Sequence, residues 1–131
     1  MRRGYGGDLM YKIGDFSKIV DVPVRTLRFY AECGVLIPSL TDEFTGYRYY
    51  DDSNVLECEK IKLLKSLDFT LEEIIRVKDN LTADVFESKR REITMKMCLL
   101  KDKCDMLSEL QIGIENGLDF SRPEKGKVLI K

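Results

Sequence analysis

Apolar residues first recur at helical spacing in "IGDFSKIV", where Ile13, Phe16 and Val20 fall three and four residues apart, as a helix with one buried face requires. Asp15 suits the positive end of that helix, so a short helix is expected over about 14–20. "DVPV" then interrupts the pattern, because Pro23 is tolerated only near a helix start. A second helix is predicted over about 24–32, with Gly34 as its stop. On it Val24, Leu27 and Ala31 share one side, while Arg25, Arg28, Phe29 and Glu32 share the other. One face is core and the other is offered outward.

The pattern then changes period. "VLIPSLTDEFTGYRYYDD" holds β-prone runs at 35–41 and 47–50 on either side of "DEFTG", where Gly46 can supply a positive-φ turn residue. A hairpin is predicted, its second strand setting Tyr47 and Tyr49 on one face and Arg48 and Tyr50 on the other. Asp51 or Asp52 can cap a following helix of about 53–66 that turns Val55, Cys58, Ile61 and Leu64 inward. Thr70 and Glu73 match a capping box, which starts a helix to about Lys78 with Leu71, Ile74 and Ile75 as its apolar side.

From Thr82 no proline interrupts the chain until Pro123, and Gly117 is the natural terminator. A helix of that extent reaches roughly 50 Å. Its apolar positions Phe86, Ile93, Met97, Leu100, Cys104, Leu107 and Ile114 are separated by steps of 7, 4, 3, 4, 3 and 7, a heptad seam whose two other positions are Arg90 and Gln111. One such stripe on so long a helix calls for a partner helix, most simply from a second copy of the chain.

Composition adds exclusions. At 131 residues and 44% hydrophobic content the chain can build one modest core, with an extended element beside it. It has no run of about eighteen apolar residues and no signal-peptide pattern, so a cytoplasmic protein is expected, without membrane insertion. Four cysteines, Cys33, Cys58, Cys98 and Cys104, lie far apart and there is no histidine, so neither a zinc site nor a catalytic base is indicated and no metal or cofactor is assigned. The cysteines are expected to pack as buried apolar thiols. No nucleophile motif or phosphate-binding glycine loop supports an enzyme. The net charge of -1 is uninformative, but residues 1–50 carry seven Lys/Arg against six Asp/Glu, and residues 51–80 five against eight, so the basic groups favour the front of the chain.

The stretch from "YKIGDFSKIVDVPVRTLRFY" through "GYRYY" to "LDFTLEEI" resembles the DNA-binding domain of MerR-family transcriptional regulators, over about residues 10–80. The helix at 82–116 is similar in kind to that family's dimerisation coiled coil. The resemblance implies a mostly α winged helix-turn-helix with a small β-hairpin wing and a long C-terminal coiled-coil helix. It divides the chain into a disordered N-terminal extension (1–9), the DNA-binding domain (10–80), a dimerisation helix (81–117) and a short tail (118–131), in which "KVLIK" can form one strand. Arg25 and Thr26 would approach base edges, while Arg28, Tyr30, Tyr47 and Arg48 would hold phosphates, with Ser17 and Lys18 as weaker contacts. Phe29 stands where family members often have tyrosine, so only apolar packing remains there.

The same resemblance implies a homodimer on double-stranded promoter DNA that bends and untwists an overlong spacer, acting on RNA polymerase indirectly, in response to a small-molecule effector of unidentified chemistry. A different class of function is a coiled-coil adaptor whose winged helix no longer reads DNA. Salt-dependent binding to a palindromic duplex separates the two.

Overall fold

A computed structural model describes residues 9–121. In chain order the elements are β1 (Tyr11–Lys12), α1 (Ile13–Val20), α2 (Val24–Cys33), β2 (Leu40–Thr41), β3 (Arg48–Tyr50), α3 (Asp52–Ser66), α4 (Leu71–Val77) and α5 (Ala83–Glu115). The chain divides into two compact units, the boundary falling between Val85 and Phe86. The expected N-terminal extension falls almost wholly, and the "KVLIK" strand entirely, outside the described residues.

In the first unit, Phe16 and Val20 of α1, Leu27 of α2 and Ile61 of α3 meet in a fully buried core, the inward stripes that their helical spacing dictates. Pro23 stands at the N-cap of α2 and Gly34 at its C-cap with φ 83, so the helix starts and stops where proline geometry and glycine freedom allow. Beyond Gly34 the chain does not enter a strand at once. The backbone N–H groups of Val35 and Leu36 donate to the Tyr30 carbonyl, at 3.0 and 3.3 Å, and both side chains are buried. The expected strand over 35–41 therefore shrinks to Leu40–Thr41, because the apolar character of its first half serves the core and Pro38 has no N–H to give a ladder.

The sheet has the order β1-β3-β2, all antiparallel, with Tyr11 opposite Tyr50, and Leu40 opposite Tyr49. Strand β1, unforeseen in the sequence, ties the start of α1 to the hairpin. Tyr50 lies flat on Phe16, ring centroids 4.3 Å apart and 9° from parallel, which fixes the hairpin to α1.

Asp51 is the residue that caps α3. Its carboxylate accepts the Asn54 N–H at 3.1 Å, and the Asn54 side-chain oxygen accepts the Asp51 N–H at 3.0 Å. The Thr70–Glu73 capping box forms as expected, but on α4 Ile75 turns outward, leaving Ile74 buried and Leu71 half-buried on the core side.

The second unit consists of the rest of α5 and the turn after it. Ion pairs one turn apart, Glu87 with Arg91 at 2.8 Å and Lys101 with Asp105 at 3.0 Å, support its exposed surface. The helix stops where Gly117 takes φ 100 and the Leu118 N–H reaches back to the Gly113 carbonyl at 2.8 Å, closing its last carbonyls. Among the described residues no helix is long and apolar enough to cross a membrane.

Candidate nucleic-acid interface

The turn between α1 and α2 is locked from three directions. Asp21 adopts a left-handed conformation, φ 57, which an aspartate tolerates better than most side chains. The Ser17 hydroxyl donates to the Val22 carbonyl at 2.6 Å, and the Lys62 ammonium donates to the Val20 carbonyl at 2.7 Å. These bonds cap the end of α1 and hold α2 at a fixed angle to it. Ser17 is thus engaged inside the turn through its hydroxyl, and its side chain is half-buried there.

The outward face of α2 carries Arg25, Arg28, Phe29 and Glu32, all exposed, with Thr26 half-buried beside them. Tyr30 departs from expectation. Its ring is 4% exposed and belongs to the core, and burial pushes its hydroxyl above the usual tyrosine range. It falls on the same side as Leu27, three residues back, so it supports α2 rather than reaching a phosphate.

The wing is held by Asp42. Its carboxylate accepts the N–H groups of Phe44 and Thr45, at 2.8 and 3.0 Å, and its carbonyl accepts the Gly46 N–H at 2.8 Å. The two backbone donors to its side chain, Thr45 first and then Phe44, hold the Asp42 carboxyl below the usual range. Gly46 completes the turn at φ 78. At the tip Phe44 is 96% exposed, while Tyr47 is exposed and Arg48 half-buried on the following strand.

These elements enclose an open groove of about 400 Å³, lined by Lys12, Gly14, Arg28, Gly46, Tyr47 and Arg48, together with Ile13 and Asp15. Three cations face one carboxylate. The groove is also lined by the first turn of α1, whose N-cap residue Lys12 makes no side-chain cap, so the positive end of the helix dipole, with N–H groups that have no partner within the helix, lies beside it. Nothing lies within 4 Å of where a Cβ on Gly14 would stand, which leaves the backbone open to close approach. A helix N-terminus, cations and a phenol around one cleft are the chemistry of phosphate binding. Of the expected phosphate contacts this groove unites Arg28, Tyr47 and Arg48. Lys12 and the start of α1 were missed; a lysine and a glycine at a helix start that lacks a Ser, Thr, Asp or Asn cap were the available signal.

Lys18 is exposed in the last turn of α1, outside the groove. On α5, Phe86, Met97, Leu100, Cys104, Leu107 and Ile114 are exposed in the single chain and Ile93 is half-buried. Apolar exposure there is not confined to the seam, since Met95, Leu99 and Ile112 are uncovered too. The cysteines also differ from expectation: Cys58 alone is buried, while Cys33, Cys98 and Cys104 are exposed, because they lie on helix faces that this single chain does not cover.

A tight helical turn that presents an arginine-bearing helix beside a β-hairpin carrying Arg48 defines a winged helix-turn-helix of the DNA-binding class. Residues 11–81 match the MerR HTH family regulatory protein family, and the chain belongs to that family of regulators. It is 32% identical over 105 residues to the multidrug-efflux transporter 1 regulator of Bacillus subtilis (strain 168), covering 77% of this chain and 35% of that protein. Among solved structures, it is similar to EcmrR in a cryo-EM structure of an EcmrR–DNA complex in EcmrR-RPo, with TM-score 0.68 and 32% identity over 81% of this chain and 39% of that one. It also resembles the N-terminal part of the Bacillus subtilis multidrug transporter activator MtaN, with TM-score 0.65 and 27% identity over 78% of this chain and 97% of that one. The chain spans a quarter to a half of the length of the curated relatives it matches.

Proposed function

We propose that this chain is a sequence-specific regulator of transcription that binds double-stranded promoter DNA as a homodimer. The observation that carries this is the groove shared by the start of α1, Arg28 and the wing, next to the outward face of α2. With phosphates held there, α2 enters the major groove, Arg25 and Thr26 reach base edges, and Tyr47 and Arg48 grip the adjacent backbone. The DNA complex of a relative at 32% identity supports the same use of the fold. Residues 10–80 then form the DNA-binding domain and 81–117 the dimerisation helix.

Dimerisation pairs the α5 seams of two copies and sets two winged helices on one pseudo-palindrome. Bending and untwisting an overlong spacer between polymerase elements costs on the order of 1–6 kcal/mol by elastic estimates, and phosphate contacts from both protomers offset it. RNA polymerase is thereby affected through DNA geometry, and a small-molecule effector selects between two dimer geometries. Cytoplasmic residence accords with such a role.

The test is selection from a random duplex library followed by a salt titration on the enriched sequence. Lys12, Arg28 and Arg48 from each of two protomers give about six neutralised phosphates and a slope of log K against log salt near -5. Enrichment of no sequence, with a flat salt response, would refute DNA reading and favour the adaptor role.

A further inference from the structure

The outward face of α2 holds one side chain that phosphate chemistry leaves unused. At about 100° per residue, Glu32 and Arg25 take the centre of that face, with Arg28 on the flank beside the groove and Phe29 on the opposite flank. Phe29 is 50% exposed and lies outside the core cluster. Roughly 100 Å² of apolar ring therefore faces water. Its neighbours one turn away on the helix are Arg25, Thr26, Glu32 and Cys33, two of them charged and two small, so it forms no large contiguous apolar patch of the kind a protein partner needs.

We infer that Phe29 recognises the C5-methyl group of a thymine, so that α2 reads one base through Arg25 and a thymine through Phe29. This rests on α2 being the helix that enters the major groove. Within that groove the edges of guanine, adenine and cytosine present N7, O6 or amino groups, and a phenyl ring set against them removes water without replacing its hydrogen bonds. Thymine alone offers a methyl group there. The spacing also fits: four residues rise about 6 Å along the helix, a little under two base-pair steps of about 3.4 Å. The thymine thus lies one or two base pairs from the base that Arg25 contacts. Glu32, almost one turn further on, carries a carboxylate that purine acceptors and phosphates repel, which marks the end of the reading surface.

The probe is replacement of each thymine of the selected duplex by uracil, which removes the methyl and keeps every hydrogen-bonding group. With the full chain, uracil at one position per half-site weakens binding about fourfold, the effect of uncovering one methyl, and the other positions change little. In Phe29→Ala that position becomes indifferent to uracil, and Phe29→Leu retains part of the discrimination. Both variants stay folded, as a cooperative urea transition verifies, since the ring is half-exposed and lies outside the core cluster. A flat uracil scan on a duplex that the protein still binds specifically and with a steep salt slope overturns the inference about Phe29 and leaves DNA reading intact. A uracil effect that persists in Phe29→Ala overturns it as well. Absence of any specific, salt-dependent binding removes the DNA-reading function on which the inference rests.

Discussion

Replacing Tyr50 by phenylalanine should stabilise this protein. The Tyr50 ring is fully buried and stacks on Phe16, yet its hydroxyl has no hydrogen-bond partner among the described residues. A buried hydroxyl without a partner costs about 1–3 kcal/mol. Tyr50→Phe keeps the ring, the stack and the β3 backbone while deleting that group. The space left is smaller than a methyl group, so the loss of packing is under about 1 kcal/mol, and a net gain of about 1–2 kcal/mol is expected. For a domain of this size that raises Tm by roughly 4–8 °C per kcal/mol. Urea unfolding followed by circular dichroism measures it, with the midpoint rising and the slope unchanged. A second reading comes from alkaline pH. Burial, the largest influence, raises the Tyr50 pKa above the ordinary 10.0, against the opposing pull of Arg48. The folded state therefore prefers the neutral phenol. Stability from this group is present below pH 10 and is lost as pH climbs from there through the raised folded value, whereas the phenylalanine variant shows no such loss. An unchanged or lower midpoint for Tyr50→Phe would mean that the hydroxyl is satisfied after all.

Arg25→Ala should weaken specific binding by about 1–3 kcal/mol and relax preference at one base pair, whereas Arg48→Ala should weaken specific and random duplex alike and reduce the salt slope; equal losses for both variants on both duplexes, in anisotropy titrations, would contradict this division of roles. Leu100→Ala/Leu107→Ala should abolish the dimer in sedimentation, because each buried leucine lost typically costs 2–5 kcal/mol and two-fold symmetry doubles it; a stable dimer would mean that α5 pairs through another face. Burial, and after it Glu59, pushes the Cys58 thiol up to about 11, so at pH 8 a thiol reagent should label the exposed Cys33 and Cys98 promptly and Cys58 only on unfolding; early labelling of Cys58 would show that the core opens.

Local punctuation made most of the helices legible. Pro23 and Gly34 bounded α2, and Thr70 with Glu73 announced α4, because each acts within a few residues of itself. The capping box at α3 was harder to see, since its third position is Asn54 where a glutamate or glutamine is the usual sign. Strand β1 was invisible for a different reason. It is two residues long and exists only by pairing with β3 nearly forty residues later, a contact that no local pattern encodes. Val35 and Leu36 looked like strand because apolar residues report burial without saying in which backbone shape. At the interface, the charged side of α2 was legible from helical spacing alone. Tyr30 was misplaced because a tyrosine can serve either a core or a phosphate, and its ring lies on the Leu27 side. The contribution of Lys12 and Gly14 depends on α1 starting beside the wing, which is a product of the folded sheet.

The wing tip separates what must be kept from what is free to change. Asp42 and Gly46 supply the turn through backbone bonds and a positive φ, so the side chains of Glu43 and Phe44 take no part in holding it. Both are exposed. Substitution at these two positions leaves folding nearly untouched, whereas changes at Asp42 or Gly46 remove the bonds and the positive φ that form the turn. The tip is therefore a place where the sequence can change on a constant scaffold, and a library randomised at 43 and 44 alone would test whether the wing tip contributes to the DNA preference proposed above.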